Sequence, residues 1–253
     1  MTRPSQLAMT RHPHRGGKSQ TGRRIFADSP PVLEHRTVYP STVKDPEEVG
    51  HIFKSGHNNG KIGREVVKGK WKGFPIYMLT LEERATCPSY CPLFVECYGN
   101  NMHLAQRWRH GPDLELFIEL EIQDLALMHP NGFAIRLHVL GDFYSTAYVR
   151  RWHALMENYP QLHVFGFTAR TDVDEQITQT IAAIHRDYPD RWMIRFSGAD
   201  MDEMKTMASE VVDDPDQAHE SSTVCPQQTG KTDCCGTCAL CWESRNNITF
   251  LRH

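Results

Sequence analysis

FAIRLHVLGDFYSTAYVRRWHALMENYPQLHVFGFT, residues 133–168, is the stretch that decides the fold. Its first eight residues (133–140) alternate apolar and polar side chains, entered through Asn131-Gly132 and left through Gly141-Asp142. Residues 145–159 carry helix-spaced apolar positions, with Ser145 as N-cap and Pro160 as stop. LHVFGFT (162–168) is again strand-like. Strand, helix and strand in so short a span form a right-handed βαβ unit with parallel strands.

The same grammar runs outward in both directions. Downstream, VDEQITQTIAAIHRDY (173–188) reads as a helix with Asp172 available as its cap, RWMIRFS (191–197) as a strand and 200–212 as helical. Upstream, FPIYMLTL (74–81) reads as a strand and DLELFIELEIQDLALM (113–128) as a helix. This alternation predicts an α/β protein built on a partial (β/α) barrel of parallel strands over residues 36–212. A flexible basic arm (1–35) precedes it. An acidic linker (209–220) leads into a cysteine-rich, metal-binding C-terminal segment (213–253).

Composition narrows the class. The 253 residues are 40% hydrophobic with a formal charge of -3, which gives no global attraction to nucleic acid. No apolar run approaches the roughly 18–20 residues of a membrane span, and the amino terminus lacks a secretory h-region. A cytoplasmic location is expected. In a reducing compartment clustered cysteines serve as metal ligands more often than as disulfides. All eight cysteines fall within 87–97 and 225–241.

Two strands carry polar residues where a covered parallel strand should be apolar. Alternation puts Arg136 and His138 on one face of 133–140, opposite Ile135, Leu137 and Val139. In 191–197, Arg191, Arg195 and Ser197 share a face. Such faces are either wet or furnished with carboxylates or a ligand anion. Gly141-Asp142, Thr168–Asp172 and Ser197-Gly198 follow strand ends, on the edge where parallel α/β folds build sites.

TCPSYCPLFVECYGNN supplies Cys87, Cys91 and Cys97. Three thiolates suit a [4Fe–4S] cluster with one open iron, or zinc completed by an outside ligand such as His103 or His110. Following what reads as the first core strand, this loop resembles that of the radical S-adenosylmethionine enzymes. The resemblance implies a [4Fe–4S] cluster on Cys87, Cys91 and Cys97, with S-adenosylmethionine on the open iron and an external reductant. It implies that Tyr98, Gly141, Asp142 and Ser197 contact the cofactor, and that Asp142, His138, Arg136 and Arg195 line the catalytic cavity. The sequence departs from that family in the five-residue second gap of the cysteine loop and in Leu140-Gly141-Asp142, which stands in place of Gly-Gly-Glu.

GFPIYMLTLEERATCPSYC, ECYGNNM, RLHVLGDFYS, FGFTAR, RFSG and CPQQTGKTDCCGTCALCW also resemble phage and prophage proteins of the gene-product-eighty-eight type. That likeness implies a phage context and no particular activity.

The last of these motifs contains Cys225, Cys234, Cys235, Cys238 and Cys241. Cys225, Cys235, Cys238 and Cys241 provide four thiolates, enough for structural zinc or a second Fe–S cluster, and Cys234 could replace its neighbour. Residues 61–72 (KIGREVVKGKWK) and Arg107–His110 mix basic and aromatic side chains suited to phosphate contact and base stacking. The leading expectation is an iron–sulfur enzyme of radical-SAM type acting on a small molecule or a nucleic acid. The rivals are a zinc-dependent base transferase similar to transglycosylases, with Asp142 as nucleophile, and a non-enzymatic zinc-stabilised nucleic-acid-binding protein.

Overall fold

The computed structural model describes residues 25–204, 207–244 and 246–252. Ten strands form: β1 (Val43–Lys44), β2 (Lys54–Ser55), β3 (Ile76–Met78), β4 (Arg107–Trp108), β5 (Phe133–Leu137), β6 (Leu162–Thr168), β7 (Trp192–Ser197), β8 (Ala208–Val212), β9 (Ser222–Val224) and β10 (Asn247–Leu251). Three long helices, α1 (Pro112–Met128), α2 (Thr146–Asn158) and α3 (Glu175–Asp187), join the central strands.

The main sheet runs β2-β3-β5-β6-β7-β8-β10-β9. Only β2 is antiparallel to its neighbour; every other pairing is parallel. From β3 to β8 the strands follow chain order with no switch of direction. All three helices therefore lie on one face. There Ile118, Ile122, Trp152, Ile181 and Ile184 pack on Phe133, Ile135, Val164, Trp192 and Ile194. The alternation of β5 and β7 dictates this layer, since their odd and even residues, respectively, point at the helices.

After β8 the chain steps over one position to β9 and returns, so β10 inserts between β8 and β9. Travel from β9 to β10 opposes the earlier progression. A right-handed crossover made in the reverse direction lands on the opposite face of the sheet. The crossover is residues 225–246, which contain five cysteines. Its Ala239 and Trp242, with Ile62, Val66 and Trp71 from the preceding hairpin, cover Ala134, Phe165 and Met193 on that second face.

The structure revises four local readings. Residues 200–212 are not one helix: Met201–Met204 make a single turn and Ala208–Val212 form β8 beside β7. The supposed linker 209–220 therefore begins inside β8 and ends just before β9. Asp172 opens a 3-10 turn capped by Thr171, and α3 begins only at Glu175. Of the amino-terminal arm, residues 1–24 lie outside the described residues. Residues 30–33 form a helical turn with Val32 buried, and the His35 ring packs 5.2 Å from that of Phe94. Among the described residues no helix is long and apolar enough to cross a membrane.

Candidate functional site

The first cysteine loop has almost no regular structure, only a 3-10 turn at Tyr98–Asn101. Its buried carbonyls need donors from elsewhere, and two fully buried arginines supply them. Arg84, in left-handed backbone (φ 66°), donates to the carbonyls of Phe94 (2.9 Å) and Val95 (3.2 Å) and to the Asn100 side chain (2.6 Å). Arg107 donates to the carbonyls of Gly99 (3.1 Å), Met102 (3.1 Å) and Ala105 (2.7 Å). Glu83 neutralises Arg107 through a two-pronged contact of 2.6 and 3.1 Å, both side chains being 0% exposed. Thr37 hydrogen-bonds Glu83 (2.7 Å), and Tyr39 donates to the Asn100 carbonyl (2.6 Å). The amino-terminal strap thus closes over the loop.

This frame places Cys87, Cys91 and Cys97, all half-buried, beside the end of β5. Leu81 pairs with the Leu140 carbonyl (3.0 Å), and the Asp142 amide donates to Thr86 Oγ1 (3.1 Å). Gly141 is required here: its φ is 83°, and a Cβ would stand 2.5 Å from Thr86 Oγ1 and 2.6 Å from Leu81 Cβ. Burial lifts the Cys87 thiol well above the ordinary range, with the charges of Asp142 and Cys97 adding to it. Burial likewise raises Cys91, and takes Cys97 to about 12.

Asp142 is 3% exposed. Its carboxylate accepts from Thr168 Oγ1, the Ala169 amide and the Phe143 amide, each at 2.7 Å. Burial still pushes it up to about 6 against those three bonds. A carboxyl poised near neutrality, within electrostatic reach of a cysteine, can hold or release a proton at physiological pH. Arg170 braces the same corner, donating to the carbonyls of Phe143 (2.7 Å) and Thr86 (2.8 Å).

The polar strand faces divide differently from the alternation. β5 ends at Leu137, and His138 takes a left-handed conformation (φ 53°) that turns it to the helix side. There it is 3% exposed, edge-on to Phe143 at 4.6 Å, with Nε2 3.1 Å from the Tyr148 hydroxyl. Burial drives it down to about 3, so it is neutral. His138 and Arg136 therefore do not share a face. Arg136 stays on the second face, its guanidinium 4.9 Å over the Phe167 ring, and its charge reaches Tyr98, Cys235 and Cys241. It stands between the two cysteine groups. Arg195 is 0% exposed and donates to the carbonyls of Cys241 (3.3 Å), Ser244 (3.1 Å) and Asn246 (2.9 Å). Those groups lie at the end of the short helix Leu240–Glu243, where a cation is favoured. Ser197 pairs with Ser209 Oγ at 3.1 Å, and Tyr98 is exposed.

In the second group, Cys225, Cys235, Cys238 and Cys241 line one small cavity with Trp242 and Ile248. Its volume of about 10 Å³ admits one water-sized centre. Cys234 points away, 3.6 Å from Thr237 Oγ1 and against Gly63. The crossover is docked by backbone pairing, Cys235 to the Lys61 carbonyl (2.8 Å) and Gly236 to that of Ile62 (3.0 Å), and by Trp71 stacked on Trp242 (5.3 Å, 7°). Burial raises Cys235 and Cys238 and takes Cys241 to about 11, and the neighbouring thiols add to this. Lys61, Lys68, Arg136 and Arg195 oppose the rise. Among the described residues no three His, Cys, Asp or Glu side chains stand ready-formed around a metal position.

In the two basic and aromatic stretches the tryptophans are buried, while Lys61, Arg64, Lys68, Lys70, Lys72 and Arg109 are exposed. Trp71 is 2% exposed and donates to the Asp190 carbonyl (2.9 Å). Trp108 is 1% exposed and Arg107 is buried. Neither tryptophan can stack on a base.

A profile described as Gene product 88 matches residues 52–247. The chain belongs to the Gene product 88 family. No curated protein and no solved structure matches it. The Gene product 88 span runs from just before β2 to the first residue of β10, and takes in both cysteine groups, Asp142 and Arg136. Sequence reasoning missed Glu83 and Arg84 and took Arg107 as part of a basic-aromatic patch; these side chains frame the first loop. The sequence signal for Glu83 and Arg84 is their place directly before the cysteine motif.

Proposed function

We propose that this Gene product 88 chain is a phage-associated, cytoplasmic iron–sulfur enzyme of radical S-adenosylmethionine type, with a separate structural zinc in its C-terminal crossover. The observation that carries the reading is the setting of Cys87, Cys91 and Cys97: one loop at the C-terminal edge of the first parallel strand, beside a buried carboxyl at the end of the next. The chain-ordered strands with helices on one face suit a partial (β/α) barrel, whose chemistry lies at that edge.

A [4Fe–4S] cluster held by three thiolates would offer one iron to a further ligand such as S-adenosylmethionine and supply one-electron chemistry from an external reductant. The chain's own contributions follow from position. Asp142, held by Thr168, Ala169 and Phe143, can take or return a proton at its carboxyl. Arg136 brings positive charge to the space between the two groups, which suits an anionic small-molecule substrate. Gly141 lets the β5 end approach Thr86 closely. His138 and Arg195 act as positioning residues, through Tyr148 and through the crossover carbonyls.

At the second group Cys225, Cys235, Cys238 and Cys241 would hold the ion. Four cysteines around a cavity of about 10 Å³ suit tetrahedral zinc better than a four-iron cluster. Four nearby cations favour the thiolate form that zinc requires. Zinc at the first loop as well, with Asp142 as the reacting carboxylate of a transferase, is the second reading. The three hydrogen bonds that hold the Asp142 carboxylate in place support it as that attacking group.

The test is an electron paramagnetic resonance spectrum of anaerobically reconstituted protein, reduced with dithionite, with and without S-adenosylmethionine. The proposal expects a reduced-cluster signal that changes with S-adenosylmethionine and is lost in Cys91→Ala. Full reconstitution that yields only zinc at both groups would sink it.

A further inference from the structure

Helix α1 (PDLELFIELEIQDLALM) is apolar on two sides. One side is the core stripe of Leu114, Ile118, Ile122 and Leu125, each at most 5% exposed. The other carries Leu116 (52% exposed), Leu120 (49%) and Leu127 (77%), with Met128 (65%) at its end. At about 100° per residue the three leucines fall within about 40° of one another, about 180° from the core stripe. A helix that served only to cover the sheet would be polar there.

The charges on α1 itself have one sign, and Arg150 and Arg151 of α2 stand on the Glu115–Glu119 flank. Asp113, Glu115, Glu119, Glu121 and Asp124 are all acidic, and α1 contains no Lys or Arg. Glu115 and Glu119 are engaged by Arg151 of α2, but Asp113 and Asp124 are exposed on the far flank of the leucines. Beside the stripe, Glu115, Glu119, Arg150, Arg151 and Asn158 line a groove of about 330 Å³ between α1 and α2. Contiguous exposed leucines with an acidic border mark an interaction surface.

We propose that the Leu116–Leu120–Leu127 face of α1 docks a basic amphipathic helix of a partner protein. Leucine-type residues of that helix would bury the stripe, and its Lys or Arg would meet Asp113 and Asp124. A second copy of this chain is the poorer occupant, because two α1 faces would oppose acidic flanks to each other. The surface lies across the sheet from the cysteine crossover, so it can be occupied while the second cysteine group keeps its surroundings.

The probe is a synthetic Leu/Lys peptide of about 18 residues with leucine at i, i+3, i+4 and i+7 spacing. Its binding to the full-length protein is followed by fluorescence anisotropy. The expected result is saturable binding that weakens with salt and falls at least tenfold in Leu116→Gln/Leu120→Gln. Leu127→Gln alone should weaken it severalfold. All three side chains are at least half exposed or nearly so, and unchanged melting will verify folding. Equal binding to the double variant, or equal binding of a Leu/Glu peptide, overturns the proposal. So does sedimentation showing a wild-type dimer that the double variant dissociates, which would make the face a self-interface.

Discussion

Replacing Glu83 by Gln removes one charge from the most deeply buried ion pair among the described residues and leaves its volume nearly unchanged. Glu83 and Arg107 are both 0% exposed and meet through contacts of 2.6 and 3.1 Å. The remaining Arg107 donors already serve Thr42 and the carbonyls of Gly99, Met102 and Ala105, which are dipoles and not charges. The variant keeps the side-chain shape, but it offers one acceptor oxygen where the carboxylate offered two, turns an amide N–H2 toward a neighbouring donor, and leaves a guanidinium inside the protein with no counter-charge. Breaking a buried pair from one side costs about 3–5 kcal/mol, a large part of the roughly 5–15 kcal/mol that holds a domain folded. Urea unfolding at pH 7, followed by tryptophan fluorescence, should show that loss as a lower midpoint at unchanged slope. Removing both charges with Glu83→Gln/Arg107→Met should cost less than the sum of the single variants, with coupling of at least about 2 kcal/mol. A single-variant loss below about 1 kcal/mol would refute the claim that this pair frames the first cysteine loop.

Two further outcomes follow from the second face of the sheet. His163 is packed between Trp71 and Phe74, and burial holds its ring at about 4, below the ordinary value. Its stabilising contribution is complete above about pH 6.5 and falls as pH drops toward 4. Between pH 7 and 5 the wild type should lose about 1–2 kcal/mol more than His163→Phe, allowing for the ring's partial exposure; parallel urea titrations with equal slopes would contradict this. A Cβ at Gly236 would stand 2.2 Å from the Glu65 carbonyl oxygen, whereas one at Gly60 meets nothing within 4 Å. Gly236→Ala should cost about 1–3 kcal/mol through displaced backbone and exceed Gly60→Ala in the same melt, and equal losses would count against the tight docking of the crossover.

The helix-covered half of the protein was readable from residues 113–197, because Trp192, Ile194 and Phe196 alternate cleanly and Ser145 caps α2 with a real bond (3.1 Å). The other half was not. β8 and β9 are short, half-buried and rich in Ser, Glu and Thr, so they carry no alternation to see. The insertion of β10 between them is a pairing over long sequence distance, which no local pattern encodes. His138 deceived the period-two reading because one residue in left-handed backbone turns the chain to the other face. Arg195 was legible as a costly buried cation, but its partners, three crossover carbonyls more than 40 residues away, were not. Cys225, Cys235, Cys238 and Cys241 were named from spacing alone. Three-dimensional packing puts Cys235, and not Cys234, on the cavity that the other three line.

The central claim is that those four cysteines meet on the second face to hold one ion. X-ray absorption at the zinc edge, with metal stoichiometry, tests it on the wild type and on Cys234→Ser and Cys235→Ser. The account predicts one zinc per chain with four sulfurs at about 2.3 Å, kept in Cys234→Ser and lost or reduced to three sulfurs in Cys235→Ser. A zinc shell dominated by nitrogen or oxygen, or a site that survives Cys235→Ser and fails in Cys234→Ser, would contradict it.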